Sequence, residues 1–336
     1  MLQLYIYYIM NYKNIPIFVS HLGCPNDCVF CNQKKISGVS EPYNIAECEK
    51  IIEEALKYMK NSSENTEIAF FGGSFTGIPI EQQKEYLNLA HGYVKSKKVA
   101  GIRLSTRPDY INAEILDLLK QYGVTTIELG VQSMSDHVLE LNKRGMTTAD
   151  TLNAVKEIRK YGFALGIQMM TSMYGSNNDT DIFTAKEIIK LKPDFARIYP
   201  TVVIEDTELY ELYKNEKYQT KTLDETVALC AEIYKLFKEA DIPIIRLGLM
   251  SSDEINTDKV IGAYHPAFGE LVMAKYYYNL IMEKIGDSVG DTLIIEAPAA
   301  LFSKISGHKK ENTEKFLEKF KQVKLIVSNQ FKITVL

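Results

Sequence analysis

Three of the five cysteines lie within eight residues, in the run Cys24-Pro-Asn-Asp-Cys28-Val-Phe-Cys31. Thiolates are soft ligands that suit iron–sulfur clusters or zinc. Three on one short loop can wrap one face of a cubane, a cluster that usually takes four Cys. Cys48 and Cys230 lie inside helical patterns and read as core residues. A three-cysteine cluster leaves one iron open, and an open metal position signals reactivity rather than scaffolding. Zinc is the alternative. It generally wants a closed set of four, often as two CxxC pairs. His21 offers a fourth ligand type, placed awkwardly before the loop. A chain of 336 residues needs no metal to build its core, so a metal here is functional rather than structural.

The elements that must carry this loop are legible as an alternation. Apolar runs recur at 15–20, 67–71, 102–106, 126–131, 164–170, 195–199 and 244–249. Most are continuously apolar, as parallel strands buried on both faces should be. Helical patterns fill the intervals. Asn44 with Glu47 and Thr222 with Glu225 read as capping boxes. Asn112 reads as an N-cap, with Gly123 ending its helix, and Pro79 suits a helix start. Strand–helix alternation predicts an α/β fold with a parallel sheet, either open or closed into a full or partial barrel. Functional residues then belong at the C-terminal ends of the strands. The cysteine loop follows the first strand, where that rule puts it.

Composition narrows the class. The chain is 46% hydrophobic and 24% charged, which excludes disordered and collagen-like architectures. Five Cys is too sparse, and odd in number, for a disulfide scaffold. No run reaches the roughly 18 apolar residues of a membrane span. The apolar, aromatic segment 1–14 lacks a basic leader and a cleavage site, so it reads as a strand or packing arm. A thiol-reducing, cytoplasmic address is the default expectation.

Further landmarks follow the cysteines in order. They are Phe71-Gly72-Gly73-Ser74-Phe75-Thr76, Ser105-Thr106-Arg107-Pro108-Asp109-Tyr110, Glu128-Leu-Gly-Val-Gln132-Ser133, Asn142-Lys-Arg144-Gly145 and Ile198-Tyr199-Pro200-Thr201. With CxxxCxxC and the aromatic Phe30 between the last two Cys, they resemble the radical S-adenosylmethionine (SAM) superfamily. Over roughly residues 15–218 the likeness is greatest to the radical SAM domain of the elongator catalytic subunit. Oxygen-independent coproporphyrinogen oxidase is similar at greater distance. The resemblance implies a partial (β/α) TIM-like barrel, with a 4Fe–4S cluster on Cys24, Cys28 and Cys31 and SAM on the open iron. One electron, from a reductant such as flavodoxin or ferredoxin, would then yield a 5′-deoxyadenosyl radical. RNA, tRNA in particular, is the implied substrate class. A porphyrin-related or other small-molecule reaction is the enzymatic alternative, and a metal-containing RNA-binding protein the non-enzymatic one.

The same resemblance distributes SAM contacts. Phe30 would pack near the adenine, with plain core packing as its alternative. Gly72, Gly73 and Ser74 would meet the methionine amino group; two glycines allow close backbone approach. Gln132 and Arg144 would contact ribose hydroxyls and the carboxylate, a group that suits a guanidinium fork. The competing reading of Arg144 is a solvated surface charge. Gln168 sits where relatives carry a ribose ligand, and a Gln inside an apolar strand needs a partner in any case. Arg107 and Asp109 read as fixing a turn. Two departures matter. Position 33 is Gln where coproporphyrinogen enzymes carry a further Cys. The residues beyond Met250 are too few for an acetyltransferase domain, so acetyl transfer is not implied.

The last 49 residues carry a different charge. Residues 288–336 hold eight Lys against five Asp and Glu, on a chain of net charge −4. A basic end on an acidic body hints at an anionic partner. Strand, helix, loop, helix and strand are expected at 292–296, 299–305, 307–310, 312–320 and 323–327. This βααβ order resembles a minimal KH module, whose GxxG loop clamps nucleic-acid backbone. Here the loop is Gly307-His308-Lys309-Lys310, with Lys in place of the second Gly. Lys309 and Lys310 are the candidate nucleic-acid contacts; a small α/β cap with a solvated Lys face is the alternative. The organisation expected is an arm at 1–14, a barrel at 15–250, a connector and helix at 251–287 and a small basic domain at 288–336. The segment 264–270 either closes a substrate mouth or simply turns into the next helix.

Overall fold

Each of the seven apolar runs forms a strand of one parallel sheet. The strands are β1 (Lys13–Phe18), β2 (Thr66–Phe71), β3 (Gly101–Thr106), β4 (Val124–Gln132), β5 (Ala164–Thr171), β6 (Phe195–Pro200) and β8 (Ile244–Leu247), paired in that order. The computed structural model describes residues 13–19, 22–24, 28–32, 35–36, 41–59, 63–250, 255–256 and 260–336. Most of the expected N-terminal arm, together with His21 and Gln33, lies outside them. β1 and β8 stand at the two edges of the sheet, which curls into a half-barrel.

The outer helices are α1 (Ile45–Tyr58), α2 (Ile80–Lys95), α3 (Ala113–Gln121), α4 (Asp136–Leu141), α5 (Thr148–Tyr161), α6 (Asn178–Lys190), α7 (Glu208–Lys214) and α8 (Leu223–Glu239). Local chemistry starts them as the residues dictate. Asn44 and Glu47 cap α1 reciprocally at 3.0 and 2.8 Å. Thr222 and Glu225 do the same for α8, and Asn112 accepts from Ile115 N–H at 2.9 Å to cap α3. Each such cap contributes about 1 kcal/mol.

The two faces of the sheet differ. The outer face buries Ile15, Ile68, Phe70, Leu104, Ile127 and Ile198 against the helices in one core. Residues of the other parity point inward, among them Glu67, Arg103, Glu128, Gln168 and Arg197. A two-stranded antiparallel pair, β7 (Val202–Ile204) with β9 (Val260–Gly262), lies outside this sheet and was not expected from sequence.

Helix α9 (Phe268–Ile285) joins two regions. Its Phe268 and Val272 belong to the barrel core, and Tyr277, Ile281 and Ile285 to a second core. That second core is completed by β10 (Thr292–Ala297), α10 (Phe302–Ser306), α11 (Glu311–Lys319) and β11 (Gln322–Val327). β10 and β11 are parallel. A third strand, β12 (Lys332–Val335), pairs antiparallel with β10 and adds to the βααβ order read from sequence. The expected helix over 299–305 is a 3-10 turn, Ala299–Leu301, running into α10. No described helix is long and apolar enough to cross a membrane.

Candidate active site

The cysteine loop is seated by contacts between backbones. Val19 N–H donates to Phe71 C=O at 2.8 Å, and Ser74 N–H donates to Leu22 C=O at 3.0 Å. Gly23, at φ +69°, lies so close that a Cβ there would sit 2.0 Å from Ser74 O. A Cβ on Gly73 would come within 2.5 Å of Leu22 O. Only glycine permits this approach on either side. The far half of the loop is tied elsewhere. Val29 N–H donates to Asn142 C=O at 3.3 Å, after α4, and Leu209 N–H donates to Val29 C=O at 2.8 Å, within α7. Cys31 N–H donates to Cys28 C=O at 2.9 Å, closing the turn between the last two cysteines. Phe30 packs on an apolar cluster that includes Val29, Val203, Leu209 and Tyr218.

Two guanidiniums stand over the loop. Arg144 is 6% exposed, so it is not the solvated surface charge that was its alternative. Its Nη1 donates to Cys28 Sγ at 3.3 Å and its Nη2 to Gly130 C=O at 2.6 Å. Arg107 grips Asp109 with two bonds of 3.0 and 2.8 Å and donates to Arg144 C=O at 2.5 Å. The Arg107–Asp109 pair thus does more than fix its turn; it holds the main chain of Arg144. Burial pushes the half-buried Cys24 thiol up, and Cys28 adds to this. A Ser74 backbone hydrogen bond, Arg107 and Arg144 oppose them. A bound metal reverses that balance, because a coordinating thiol is deprotonated outright.

The remaining candidates converge unevenly. Gly72 follows β2 at φ +90°. The Ser74 hydroxyl is engaged internally, 3.0 Å from Thr106 Oγ1 and accepting from Arg107 N–H at 3.2 Å, and the Ser74 C=O accepts from Gly77 N–H at 2.9 Å. Gln132 ends β4 at φ +67°, beside a break in strand register, and its Oε1 is buried with no partner among the described residues. A Cβ on Gly130 would lie 3.1 Å from Gln132 Nε2 and 3.8 Å from Arg144 Nη2, so both side chains meet at that glycine. Gln168 lies deeper in the half-barrel. Its amide donates to Glu128 Oε2 at 3.1 Å and Ser105 Oγ at 3.2 Å, which supplies the partner its apolar strand required. Among the described residues, no three His, Cys, Asp or Glu side chains are arranged around a single metal ion. A cubane asks instead for one thiolate per iron.

Sequence reasoning missed the ionic network beneath the rim. Arg103 bridges Glu67 at 2.7 Å and Glu128 at 2.8 Å. Arg197 grips Glu128 with bonds of 2.7 and 3.0 Å. Burial would raise the Glu128 carboxyl, but the two guanidiniums outweigh it and hold the group below its ordinary value. Charged residues inside apolar strands at one parity were the available signal. A second omission is Asp181 on α6. Its Oδ2 accepts from Ser172 N–H at 2.7 Å, at the C-terminal end of β5. Burial pushes its carboxyl up to about 6.

In the tail, Lys309 and Lys310 have φ values of +51° and +70°, in the region that favours glycine. The His308 ring lies 5.5 Å from that of His265, in the loop before α9. Burial, then His308 and Lys309, push the His265 imidazole below its ordinary value.

Comparison with known proteins agrees with this architecture. Residues 18–188 match the radical SAM superfamily, and residues 193–278 match the Radical_SAM C-terminal domain. The tRNA uridine(34) acetyltransferase of Methanocaldococcus jannaschii is 31% identical over 253 residues, covering 69% of this chain and 45% of that protein. Elongator complex protein 3 of Saccharomyces cerevisiae is 28% identical over 227 residues, covering 58% of this chain and 41% of its own. The chain therefore spans about half the length or less of these relatives. The structure of Methanocaldococcus infernus Elp3 with an N-terminal deletion superposes with a TM-score of 0.62 at 24% identity. It covers 82% of this chain and 63% of that one, a likeness of fold.

Proposed function

The chain belongs to the radical SAM superfamily, and on that premise we propose that Cys24, Cys28 and Cys31 hold a 4Fe–4S cluster whose fourth iron takes SAM. The observation that carries the reading is the buried Arg144 guanidinium on Cys28 Sγ of the three-cysteine loop, beside a buried Gln132 Oε1 that has no partner among the described residues. The residues fit the cofactors. The thiols are the right donors for iron, Gln132 Oε1 lacks a partner that a ribose hydroxyl would supply, and Arg144 is charged for a carboxylate. When bound and reduced by one electron, the cluster supplies cleavage of SAM to a 5′-deoxyadenosyl radical.

The chain's own residues do the positioning. Gly23 and Gly73 let the cysteine loop lie against the end of β2. Gly72 and Gly73 would present backbone groups to the methionine amino end, while Ser74 anchors the segment through its N–H to Leu22 C=O. Arg144 faces the carboxylate and is held through its carbonyl by Arg107. Phe30 would offer an apolar surface to the adenine, and Gln168, whose amide N–H groups go to Glu128 and Ser105, would have its Oε1 left for a second ribose hydroxyl. Electrons come from a flavodoxin or ferredoxin, in the reducing cytoplasm that an oxygen-sensitive cluster needs.

RNA, with tRNA foremost, is the proposed substrate class. It rests on the likeness to a tRNA uridine(34) acetyltransferase, of which this chain spans 45%, and on the basic tail. The units proposed are the arm, the barrel at 15–250, the connector with α9 and a basic module at 288–336 whose Lys309 and Lys310 touch phosphates. Anaerobic incubation with SAM and a reductant should release 5′-deoxyadenosine. RNA from a deletion strain should lack one modified nucleoside. An unchanged nucleoside profile would remove RNA as the substrate while leaving the radical chemistry in place.

A further inference from the structure

Among the described residues, the inner wall of the half-barrel carries one guanidinium more than its carboxylates can pair. Glu67 and Glu128 are its acids, and both are saturated. Glu67 takes Arg103 at 2.7 Å and the hydroxyls of Thr125 and Thr126 at 2.6 and 2.7 Å. Glu128 takes Arg103, both arms of Arg197 and the Gln168 amide. The third guanidinium is Arg246. Strand register sets it beside Arg197 on the same face, on the last strand of the sheet, next to the open edge. It is partly buried. Among the described residues its one hydrogen bond runs from Nε to Gly248 C=O at 2.9 Å, and it makes no ion pair.

A partly buried guanidinium with no counter-ion among the described residues is ready for an anion, and its two Nη groups offer the parallel donors that phosphate oxygens accept. The same wall holds two half-buried aromatics near the rim, Phe71 and Tyr199, with the Arg197 guanidinium 5.4 Å over the Phe71 ring. Aromatic rings on the same wall as a guanidinium whose Nη groups have no partner among the described residues match a base joined to a phosphate. We infer that Arg246 receives a phosphate group of a nucleotide substrate inside the half-barrel. The inference rests on the RNA reading for its ligand class. The phosphate has two possible sources, an RNA strand or a free nucleotide.

The test is equilibrium binding to the anaerobically reconstituted, SAM-loaded and unreduced protein. The probes are uridine, uridine 5′-monophosphate and a short oligouridylate. The proteins are wild type, Arg246→Ala and Arg246→Lys, with melting temperatures confirming that each is folded. Wild type should bind a phosphate-bearing probe about tenfold or more tighter than uridine, the scale of a charge-assisted hydrogen bond. Arg246→Ala should erase that preference without weakening uridine binding, and Arg246→Lys should retain part of it. A preference confined to the oligouridylate assigns the phosphate to a strand. A preference confined to the monophosphate assigns it to a free nucleotide; the inference then stands and the RNA reading fails. Oligouridylate binding that is equal in all three proteins overturns the inference and leaves the RNA reading intact. Equal binding of uridine and both phosphate probes by wild type also overturns it.

Discussion

The rim of the half-barrel and the tail loop at 307–310 both depart from ordinary backbone, for different reasons. At the rim, Gly23 and Gly72 take positive φ, and Gly23 and Gly73 lie where any Cβ would strike another segment's backbone. The geometry there is imposed by packing, and Glu67, Arg103, Glu128 and Arg197 beneath it are paired with one another. In the tail, positive φ falls on Lys309 and Lys310, residues that pay roughly 1–2 kcal/mol each for it. Neither lysine makes an ion pair among the described residues. One region is held by what it touches inside the protein, whereas the other presents its charge to solvent. Changes to the buried ion pairs should therefore register in the protein alone, and changes in the tail only when a ligand is present.

The largest effect on the isolated protein should come from Glu128→Ala. It leaves the largely buried Arg197 without its partner and Arg103 with Glu67 alone, and losing one member of a buried pair costs about 3–5 kcal/mol. Urea unfolding at neutral pH measures this, and a loss below about 1 kcal/mol would erase the contrast between the regions. Asp181 sharpens it through pH. Its folded carboxyl titrates at about 6, against an ordinary 3.8. The stability tied to its neutral form is thus complete below the unfolded value and is lost as pH rises through about 6. Asp181→Asn should remove that loss, worth about 3 kcal/mol, and flatten stability between pH 4 and 7. An unchanged pH profile contradicts the assignment.

Arg144→Ala should weaken SAM binding by about 1.5–3 kcal/mol, the range for hydrogen bonds to a charged group, with iron content intact. Unchanged SAM affinity would return Arg144 to a purely structural role beside Cys28. The smallest effect belongs to the tail. Replacing Lys309 and Lys310 together by Ala should leave stability and SAM cleavage alone. It should flatten the salt dependence of tRNA binding by one to two contacts, each contributing a slope of roughly −0.7. A change in protein stability without any change in salt slope would mean that the loop is a cap.

The strands were legible because burial on both faces writes a continuous apolar run, and all seven lie within a few residues of where those runs predicted them. The caps at Asn44, Asn112 and Thr222 were legible because one local hydrogen bond decides each. The ionic network was not. Glu67, Arg103, Glu128 and Arg197 are far apart in the chain and meet only through parallel register. Gln168 drew notice as a polar residue in an apolar strand, yet nothing nearby in sequence pointed to Glu128 as its partner. β12 is four residues long and the β7–β9 strands three each, too short for a period to show. The positive φ of Lys309 and Lys310 has no sequence signal, since the residues that favour it are Gly and Asn.

The central claim is that the cysteine loop holds a cluster with one iron open to SAM. Iron and acid-labile sulfide analysis of the anaerobically reconstituted protein, with its absorption and paramagnetic resonance spectra recorded before and after adding SAM, tests it most directly. About four irons and four sulfides per chain are expected, with a spectrum that SAM alters. Cys24→Ala, Cys28→Ala and Cys31→Ala should each lose the cluster, and Cys48→Ala and Cys230→Ala should keep it. Stoichiometric zinc without sulfide, or a cluster indifferent to SAM, would contradict the account.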